Sequence, residues 1–385
     1  MERAVVHMDL DTFFVSCERL NNDKLNGIPV IIGGGDRGVV ASCSYEARYF
    51  GVRSAMPIKM ALRLCPEAKV IKGDMEMYSR LSHTVTEIIE EKAPVVEKAS
   101  IDEHYLDISG MDRFFGAYKW TEELMQSVTR HTGLPVSFAL SVNKTVAKIG
   151  TGEAKPIGKK EIPSEMVRPF LNPLSIKKIP GVGDASFQLL SRIGIRQIHT
   201  LADMPVEVLQ QMIGKNGIEL WKKANGIDNT PVEPYTERKS ISTEHTFDRD
   251  TIDLFVLRAL ISDMVEKLAF QLRSEQWLTS TVVLKIRYAN FDTETKQSRI
   301  PYTSADHTLL QCVTELFDKL YNRRMRIRLI GIRLTNLVHG NLQINLFEDT
   351  QEMVSLYQAM DHIKNRFGYD KIGRAAGFRF MTGRK

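Results

Sequence analysis

Cysteine is scarce in this sequence. The 385 residues include only four cysteines, Cys17, Cys43, Cys65 and Cys312, and no two of them have the close spacing of a metal-binding pair. This pattern argues against both a disulfide framework and a structural zinc site. Four scattered cysteines suit a reducing compartment, and we expect the protein in the cytoplasm.

Long apolar runs, internal repeats and low-complexity tracts are also absent. No uninterrupted apolar stretch is long enough to cross a membrane, and the first residues include acids where a secretory signal would be basic and apolar. We therefore expect a soluble protein without a membrane partner. The length allows two to four domains, and 43% hydrophobic and 26% charged residues are ordinary for a globular protein. The net charge of +5 permits a polyanionic partner.

Two apolar stretches that resemble strands carry the most informative acids. Residues 4–11 include Asp9 near their end, and residues 99–107 include the adjacent pair Asp102 and Glu103. The alternation of side chains predicts half-buried strands. Carboxylates gathered from two strands, with little histidine or cysteine nearby, favour a site for Mg²⁺ over one for zinc. The alternative is that these acids are solvated residues at strand ends.

The order of these acids resembles that of the Y-family DNA polymerases, which copy damaged templates. The pattern D-x-D-x-F-F begins at Asp9, and the later S-I-D-E contains Asp102 and Glu103. The resemblance implies that Asp9, Asp102 and Glu103 are catalytic and bind two Mg²⁺ ions. It also implies that the backbone carbonyl of Leu10 is a metal ligand.

The two phenylalanines of the first motif have a role in this resemblance as well. Phe13 and Phe14 would line the nucleotide site, and Phe14 would lie beneath the sugar as a steric gate. A ring in that position leaves no room for the 2′-OH of a ribonucleotide. The alternative for both rings is ordinary packing in the core.

A glycine-rich segment at residues 33–38 matches G-x-G-x-x-G, the pattern of dinucleotide-binding loops. That site needs a helix to open at the glycines, but residues 39–43 predict a second strand, so a β-hairpin is the better interpretation. The following helix, predicted over residues 45–52, would place Tyr45 and Arg48 on one face.

The resemblance assigns these residues to the incoming nucleotide. The segment Y-x-A-R-x-F-G is similar to the fingers of the family, where Tyr45 and Arg48 would hold the triphosphate and Ser42 would add a hydroxyl contact. The run S-x-N-K-x-x-A-K followed by K-P implies that Lys155 binds the phosphates. The alternative is that these are solvated side chains on helix surfaces.

The predicted elements indicate the fold class. Helices predicted over residues 78–92 and 120–132, with a strand over 136–141, give a β-α-β-β-type arrangement typical of a ferredoxin-like palm. The resemblance implies an α+β, right-hand polymerase. Its expected domains are a palm (1–18 and 78–165), small fingers (19–77), a helical thumb with a helix-hairpin-helix (166–233), an α/β little finger (234–340) and a tail with a clamp-binding motif (341–385).

Two features predict contact with DNA. In I-P-G-V-G, Gly181 and Gly183 free the backbone of a predicted helix-hairpin-helix to approach a phosphate. Arg324, Arg326 and Arg328 alternate, so they are predicted to project from one strand face and to follow a DNA backbone. The alternative is that these arginines are charges at a sheet edge that maintain solubility.

Near the end of the chain, Gln343, Leu346 and Phe347 form Q-x-x-L-F, which resembles the bacterial sliding-clamp pentapeptide. The glutamine would be a polar anchor, and the two apolar residues would fill a pocket on the clamp. The tail beyond it, residues 348–385, has helical periodicity at Leu356, Met360 and Ile363. This tail leaves open whether the chain belongs to the DinB type or to a UmuC-like branch.

The resemblance extends over roughly residues 4–347. It implies a monomeric, template-directed DNA polymerase of low fidelity in translesion synthesis, of the bacterial DNA polymerase IV (DinB) type, that binds primer–template DNA and dNTPs. The alternatives are a catalytically silent scaffold for DNA and clamp, or a nucleotide cyclase, which shares the palm but has no use for the DNA-binding features. One departure is His104, where the family commonly has a small residue.

Overall fold

The computed structural model describes residues 3–35, 37–111, 116–234, 237–340 and 351–375. The chain divides into two compact units, Met1–Thr236 and Glu237–Lys385. Within the described ranges, no helix combines the length and the apolar character needed to cross a membrane.

Unit 1 alternates short strands and helices along its length. In chain order its elements are β1 (Val5–Leu10), α1 (Phe13–Asn21), β2 (Val30–Ile32), β3 (Ser42–Cys43), α2 (Tyr45–Tyr49), α3 (Ile58–Leu64), β4 (Lys69–Ile71), α4 (Met75–Glu90), β5 (Val95–Lys98), β6 (Glu103–Asp107), α5 (Ala117–Thr132), β7 (Val136–Ser141), α6 (Lys144–Ala154), β8 (Lys159–Ile162), α7 (Val167–Leu171), α8 (Asp184–Arg192), α9 (Ile198–Ala202), α10 (Val206–Ile213) and α11 (Lys215–Ala224).

Strand β1 lies at the centre of a five-stranded sheet of order β5-β6-β1-β7-β8. It pairs antiparallel with β6 and β7, whereas β7 and β8 are parallel. Val6, Met8 and Leu10 belong to the core cluster formed with α4 and α5. On the other face, Thr151 of α6 donates a hydrogen bond to the carbonyl of His7. All six residues of β1 are therefore buried, where the sequence pattern predicted a half-buried strand. The predicted α+β class and the ferredoxin-like sheet are confirmed.

The acidic strand is shorter than the sequence predicted. Strand β6 begins at Glu103, and Asp102 lies in the turn that follows β5. The hydroxyl of Ser100 accepts hydrogen bonds from the backbone N–H of Asp102 at 3.3 Å and of Glu103 at 3.1 Å. These side-chain contacts to the backbone hold the turn between β5 and β6, so Asp102 precedes the strand.

A second sheet of unit 1 has the order β3-β2-β4. The predicted hairpin between β2 and β3 is present, and no helix opens at its glycines in the described residues. The second strand is only two residues long, because the backbone of Val40 bonds instead to Ala55 and Met56. Helix α2 also ends before residue 52, since Gly51 follows it with φ +88°.

Unit 2 is a four-stranded antiparallel sheet with helices packed on it. Its strand order is β11-β10-β12-β9. Large apolar side chains of both long helices and of the inner strands form one buried core, which includes Leu257, Leu268, Leu284, Phe317 and Ile332. The elements are β9 (Ser240–Thr251), α12 (Leu254–Ser274), β10 (Trp277–Tyr288), β11 (Thr293–Thr303), α13 (Asp306–Leu320), β12 (Ile327–His339) and α14 (Gln351–Phe367).

Helix α14 confirms that the tail is helical, and two of the three residues of its apolar periodicity, Met360 and Ile363, are half-buried. Leu356 is 51% exposed, whereas Tyr357 and Lys364 are buried. The guanidinium of Arg273 on α12 binds the carboxylate of Asp361 through two nitrogens, at 2.6 and 2.9 Å. The packed side of α14 therefore combines this ion pair with the buried ring of Tyr357.

Two glycines of α6 provide a test of this packing. A Cβ at Gly150 would lie 2.6 Å from Ile162 and 2.8 Å from Ala139, whereas a Cβ at Gly152 meets nothing within 4 Å. We expect Gly150→Ala to lower the free energy of unfolding by about 1–3 kcal/mol through overpacking. Gly152→Ala should raise it by roughly 0.5–1 kcal/mol, because alanine favours the helix. Thermal unfolding of both variants measures these changes. Equal changes in the free energy of unfolding for Gly150→Ala and Gly152→Ala would contradict the packing of α6 on the sheet.

Candidate active site

The pairing of β1 with β6 brings the three predicted catalytic acids together. Asp9 lies directly opposite Glu103 in the antiparallel ladder. The next residue, Leu10, donates its N–H to the carbonyl of Asp102 at 3.0 Å. Two segments that are distant in sequence therefore place all three acids at the end of β1.

Each of the three carboxylates has its own partner. The ammonium of Lys155 contacts Asp9, the ammonium of Lys148 is 2.5 Å from Glu103 Oε2, and the hydroxyl of Ser100 donates to Asp102 Oδ1 at 2.6 Å. Among the residues that the structure describes, no group of three or more acids, histidines or cysteines converges as a ready metal site. The carboxylates are neighbours on the backbone, but their oxygens are turned to these partners.

Burial and charge move the pKa values of the two facing acids in opposite directions. Burial raises the pKa of Asp9 to about 7, and the negative charges of Asp102 and Glu103 add to this rise. The His7 imidazole and the Lys148 ammonium face Glu103 and lower its pKa to about 2. Of the two acids, Asp9 is therefore the one whose ionised form would be stabilised by additional positive charge near neutral pH.

A single cavity collects most of the predicted site residues. It is formed by the end of β1, the start of α1, and the β3–α2 region of the second sheet. Its walls include the predicted residues Asp9, Leu10, Phe13, Phe14, Ser42, Arg48, Asp102 and Lys155. Acids, a lysine, an arginine and a hydroxyl thus face one space beside two aromatic rings.

Tyr45 faces a different space from the other predicted nucleotide residues. The guanidinium carbon of Arg48 is 5.1 Å from the centre of the Tyr45 ring, as expected for two residues on one helical face. Tyr45 nevertheless lines a neighbouring cavity of about 570 Å³ together with Asp11. Burial, followed by the charge of Asp11, raises the pKa of its phenol.

The two phenylalanines have different surroundings. Phe13 is 2% exposed and belongs to the core, whereas Phe14 is only partly buried. The Phe14 ring stacks on Tyr78 of α4 at 4.5 Å, and the Tyr78 hydroxyl donates to Glu18 at 2.6 Å. Tyr78 therefore fixes the plane of the Phe14 ring, a role that the apolar stripe of its helix did not indicate.

Asp11 is a site residue that the sequence reasoning did not assign. It is 1% exposed, and its Oδ2 accepts hydrogen bonds from the Ser137 hydroxyl at 2.8 Å and from the Ile157 N–H at 2.6 Å. The Lys155 ammonium lies 3.8 Å from its Oδ1. Asp11 thus ties the segment that carries Lys155 to the end of β1. The sequence signal that could have identified Asp11 is its place as the second acid of the D-x-D motif.

His104 lies on the opposite face of β6 from Glu103. Its register partner is Met8, and its Nε2 is 3.0 Å from the hydroxyl of Thr86 on α4. Burial lowers the pKa of His104 to about 4, so the ring is neutral near pH 7. The larger residue is accommodated by a hydrogen bond behind the sheet and does not reach the carboxylates.

The predicted helix-hairpin-helix has a short first helix. A 3₁₀ turn over Ile176–Lys178 precedes the glycines, and α8 begins at Asp184. Gly181 has φ +103°, and both Gly181 and Gly183 are exposed. The ammonium of Lys223 donates to the carbonyl of Pro180 at 2.9 Å and fixes the start of this loop.

The arginines predicted on one strand face are not all in a strand. Strand β12 begins at Ile327, so only Arg328 belongs to it, while the exposed Arg324 and Arg326 lie in the preceding loop. The guanidinium of Arg328 stacks over the Phe291 ring at 4.6 Å. The alternation in sequence was therefore not strand alternation. The predicted clamp motif, Gln343–Phe347, lies outside the described residues.

Family models match three parts of the chain. The impB/mucB/samB family model matches residues 8–152, and the model of its C-terminal domain matches residues 238–346. The DNA polymerase-iota thumb-domain model matches residues 177–228. Together these matches cover well over half of the sequence.

Curated relatives match the chain almost from end to end. DNA polymerase IV of Dehalococcoides mccartyi is 34% identical over 98% of both chains, and that of Desulfatibacillum aliphaticivorans is 35% identical over 97% of both. DNA polymerase IV of Halorhodospira halophila is 35% identical over 90% of this chain and 98% of its own.

Solved structures agree with these relatives. A chimeric Y-family DNA polymerase has a TM-score of 0.78 at 25% identity and covers 88% of this chain and 100% of its own. DinB from Sulfolobus solfataricus has a TM-score of 0.62 at the same identity and coverage. Because family models, full-length relatives and solved structures coincide, the chain belongs to the Y family of DNA polymerases and to its DNA polymerase IV (DinB) type.

Proposed function

We propose that this protein is a template-directed DNA polymerase of low fidelity that acts in translesion synthesis. The observation that carries the proposal is the register of Asp9 opposite Glu103, with Asp102 adjacent, beside a cavity that also holds Phe14 and Lys155. In the proposed reaction, the primer 3′-hydroxyl attacks the α-phosphate of a dNTP and pyrophosphate leaves. We further propose that the enzyme works as a monomer in the cytoplasm.

The elements of the two units support an assignment to polymerase subdomains. We assign the five-stranded sheet with α4 and α5 to the palm, residues 1–18 and 78–165. The three-stranded sheet with α2 and α3 becomes the fingers, residues 19–77. The helices after β8 become the thumb, residues 166–233. The four-stranded sheet of unit 2 becomes the little finger, residues 234–340.

The donor set supports two Mg²⁺ ions. Asp9, Asp102 and Glu103 offer carboxylate oxygens and Leu10 a backbone carbonyl, all hard ligands that suit Mg²⁺. The raised pKa of Asp9 fits a site designed for added positive charge. When bound, the ions lower the pKa of the attacking hydroxyl and offset charge on the phosphates.

The other site residues have roles toward the nucleotide. Lys155 and Arg48 supply positive charge to the triphosphate, and Ser42 supplies a hydroxyl on the same cavity wall. Tyr45, beside Arg48, would reach the phosphates by rotating from its own cavity. Phe14, held by Tyr78, would lie under the sugar, and Phe13 would support it from the core.

DNA and clamp contacts complete the proposal. The exposed loop with Gly181 and Gly183 would present backbone N–H groups to a phosphate. Arg324, Arg326 and Arg328 would neutralise phosphates in unit 2, a contact that does not need them to share one strand face. The segment Gln343–Phe347 would bind the sliding clamp and raise the local concentration of enzyme at the primer end.

The proposed metal site predicts the outcome of primer extension. Asp102→Ala/Glu103→Ala should reduce the rate on a primed template with Mg²⁺ and dNTPs by roughly a thousandfold or more, because metal ligation contributes several kcal/mol. Asp107→Asn is the matched control, since this acid lies at the other end of β6. Activity in the double variant would place the metal site elsewhere. Inactivity of wild type that still binds DNA would favour the silent scaffold.

The steric-gate assignment predicts a change in sugar selectivity. Phe14→Ala should reduce discrimination against ribonucleotides by on the order of a hundredfold, since the space beneath the sugar opens. Phe14→Tyr keeps the ring and should retain the selectivity of wild type. Comparing the incorporation of dNTP and rNTP by each variant measures this, and unchanged discrimination in Phe14→Ala would remove the assignment.

The clamp proposal predicts a selective defect. Leu346→Ala/Phe347→Ala should abolish stimulation of synthesis by a bacterial sliding clamp and leave distributive synthesis intact, because the active site is untouched. Leu356→Ala, on the exposed side of α14, is the control. Equal loss of clamp-dependent and distributive synthesis in the double variant would contradict the motif.

A further inference from the structure

Two lysines, one within α6 and one directly after it, contact the proposed metal ligands. Lys148 lies on α6, and Lys155 directly follows the last residue of that helix. The Lys148 ammonium is 2.5 Å from Glu103 Oε2, and the Lys155 ammonium contacts Asp9 Oδ1. Both lysines therefore use carboxylate oxygens that the proposed site needs for a metal.

The third proposed carboxylate is bound in another way. Asp102 accepts a hydrogen bond from the neutral hydroxyl of Ser100 instead. In the described part of the chain, the acids do not converge into a ligand set. An ammonium and a metal ion on the same carboxylate oxygen repel each other and compete for its lone pairs, so each kind of contact weakens the other.

We propose that Lys148 and Lys155 are internal counter-ions, so that metal binding is an exchange in which the ammonium groups leave the carboxylates. The proposal rests on the metal site of the proposed function. Lys148 is then a positioning residue, because it acts through Glu103. It holds that carboxylate in place when no metal is bound.

The two lysines differ in where they can go. The Lys148 side chain is 35% exposed and can move into solvent. Lys155 is less exposed and lines the same cavity as Arg48 and Ser42, so a triphosphate there would offer it a new partner. Nucleotide should therefore remove one of the two competitors, and metal and nucleotide should bind cooperatively.

A titration of Mn²⁺ into the nucleotide-free, DNA-free protein tests the exchange. Free Mn²⁺ is followed by electron paramagnetic resonance. Removing the Lys148 ammonium removes both a competitor for Glu103 Oε2 and a positive charge that repels the ion, so we expect Lys148→Met to bind Mn²⁺ at least about tenfold more tightly than wild type. Thermal unfolding in EDTA establishes that each variant is folded.

Lys144→Met is the matched control. Lys144 is on the same helix, but its ammonium is 2.7 Å from Glu97, outside the proposed ligand set. The substitution removes the same charge, so its Mn²⁺ affinity should stay within about twofold of wild type, since screening by water and salt weakens charges that are not in contact. Equal tightening in Lys144→Met and Lys148→Met would overturn the proposal, because the cause would be net charge.

A second variant separates contact from charge. In Lys148→Arg the guanidinium retains a donor to Glu103, so Mn²⁺ affinity should not rise. An increase equal to that of Lys148→Met would overturn the proposal, as would unchanged affinity in Lys148→Met. If wild type extends primers while Lys148→Met gains no affinity, only the counter-ion role fails. If wild type neither binds Mn²⁺ nor extends primers, the metal site itself fails, and the counter-ion role with it.

Discussion

The antiparallel register of β1 on β6 is the constraint on which the site depends. Cross-strand neighbours share a face, so Val6 with Leu106 and Met8 with His104 face α4 and α5, while Asp9 with Glu103 faces α6. A slip of one residue would turn the apolar set out of the core and the acids into it. Burial of apolar side chains on one side of the sheet therefore secures the alignment of carboxylates on the other.

The cost of this arrangement is electrostatic. Three acids at one strand end repel one another, and burial disfavours the charge of Asp9. Three contacts offset this cost. Lys155 pairs with Asp9, Lys148 pairs with Glu103, and the Ser100 hydroxyl donates a hydrogen bond to Asp102. Such a site is tuned for a ligand rather than for stability, as is common where function opposes the most stable packing.

Residues outside the cavity wall determine the orientation of those within it. Asp11 holds the segment after α6, which carries Lys155, and Tyr78 holds the ring of Phe14. Polar contacts also connect the helices of unit 2. The guanidinium of Arg273 on α12 donates hydrogen bonds to Asp361 of α14 and to Asp306 of α13. Buried polar contacts of this kind select one arrangement among several that apolar packing alone would allow.

The class of fold and the family could be predicted from the chain alone, because motif order and local hydrophobic pattern are properties of the sequence. The same motifs pointed to Asp9, Asp102 and Glu103 as candidate metal ligands. The sequence also predicted Val136–Ser141 as a strand with the observed bounds. The structure was needed to show that Asp102 lies in a turn and that Arg324 and Arg326 precede their strand. It was also needed to show that Asp11 and Tyr78 support the candidate site. It also decided that ammonium groups hold the carboxylates. Those features depend on contacts between segments that are far apart in the sequence. A sequence pattern does not show which of those segments lie close together in the folded chain.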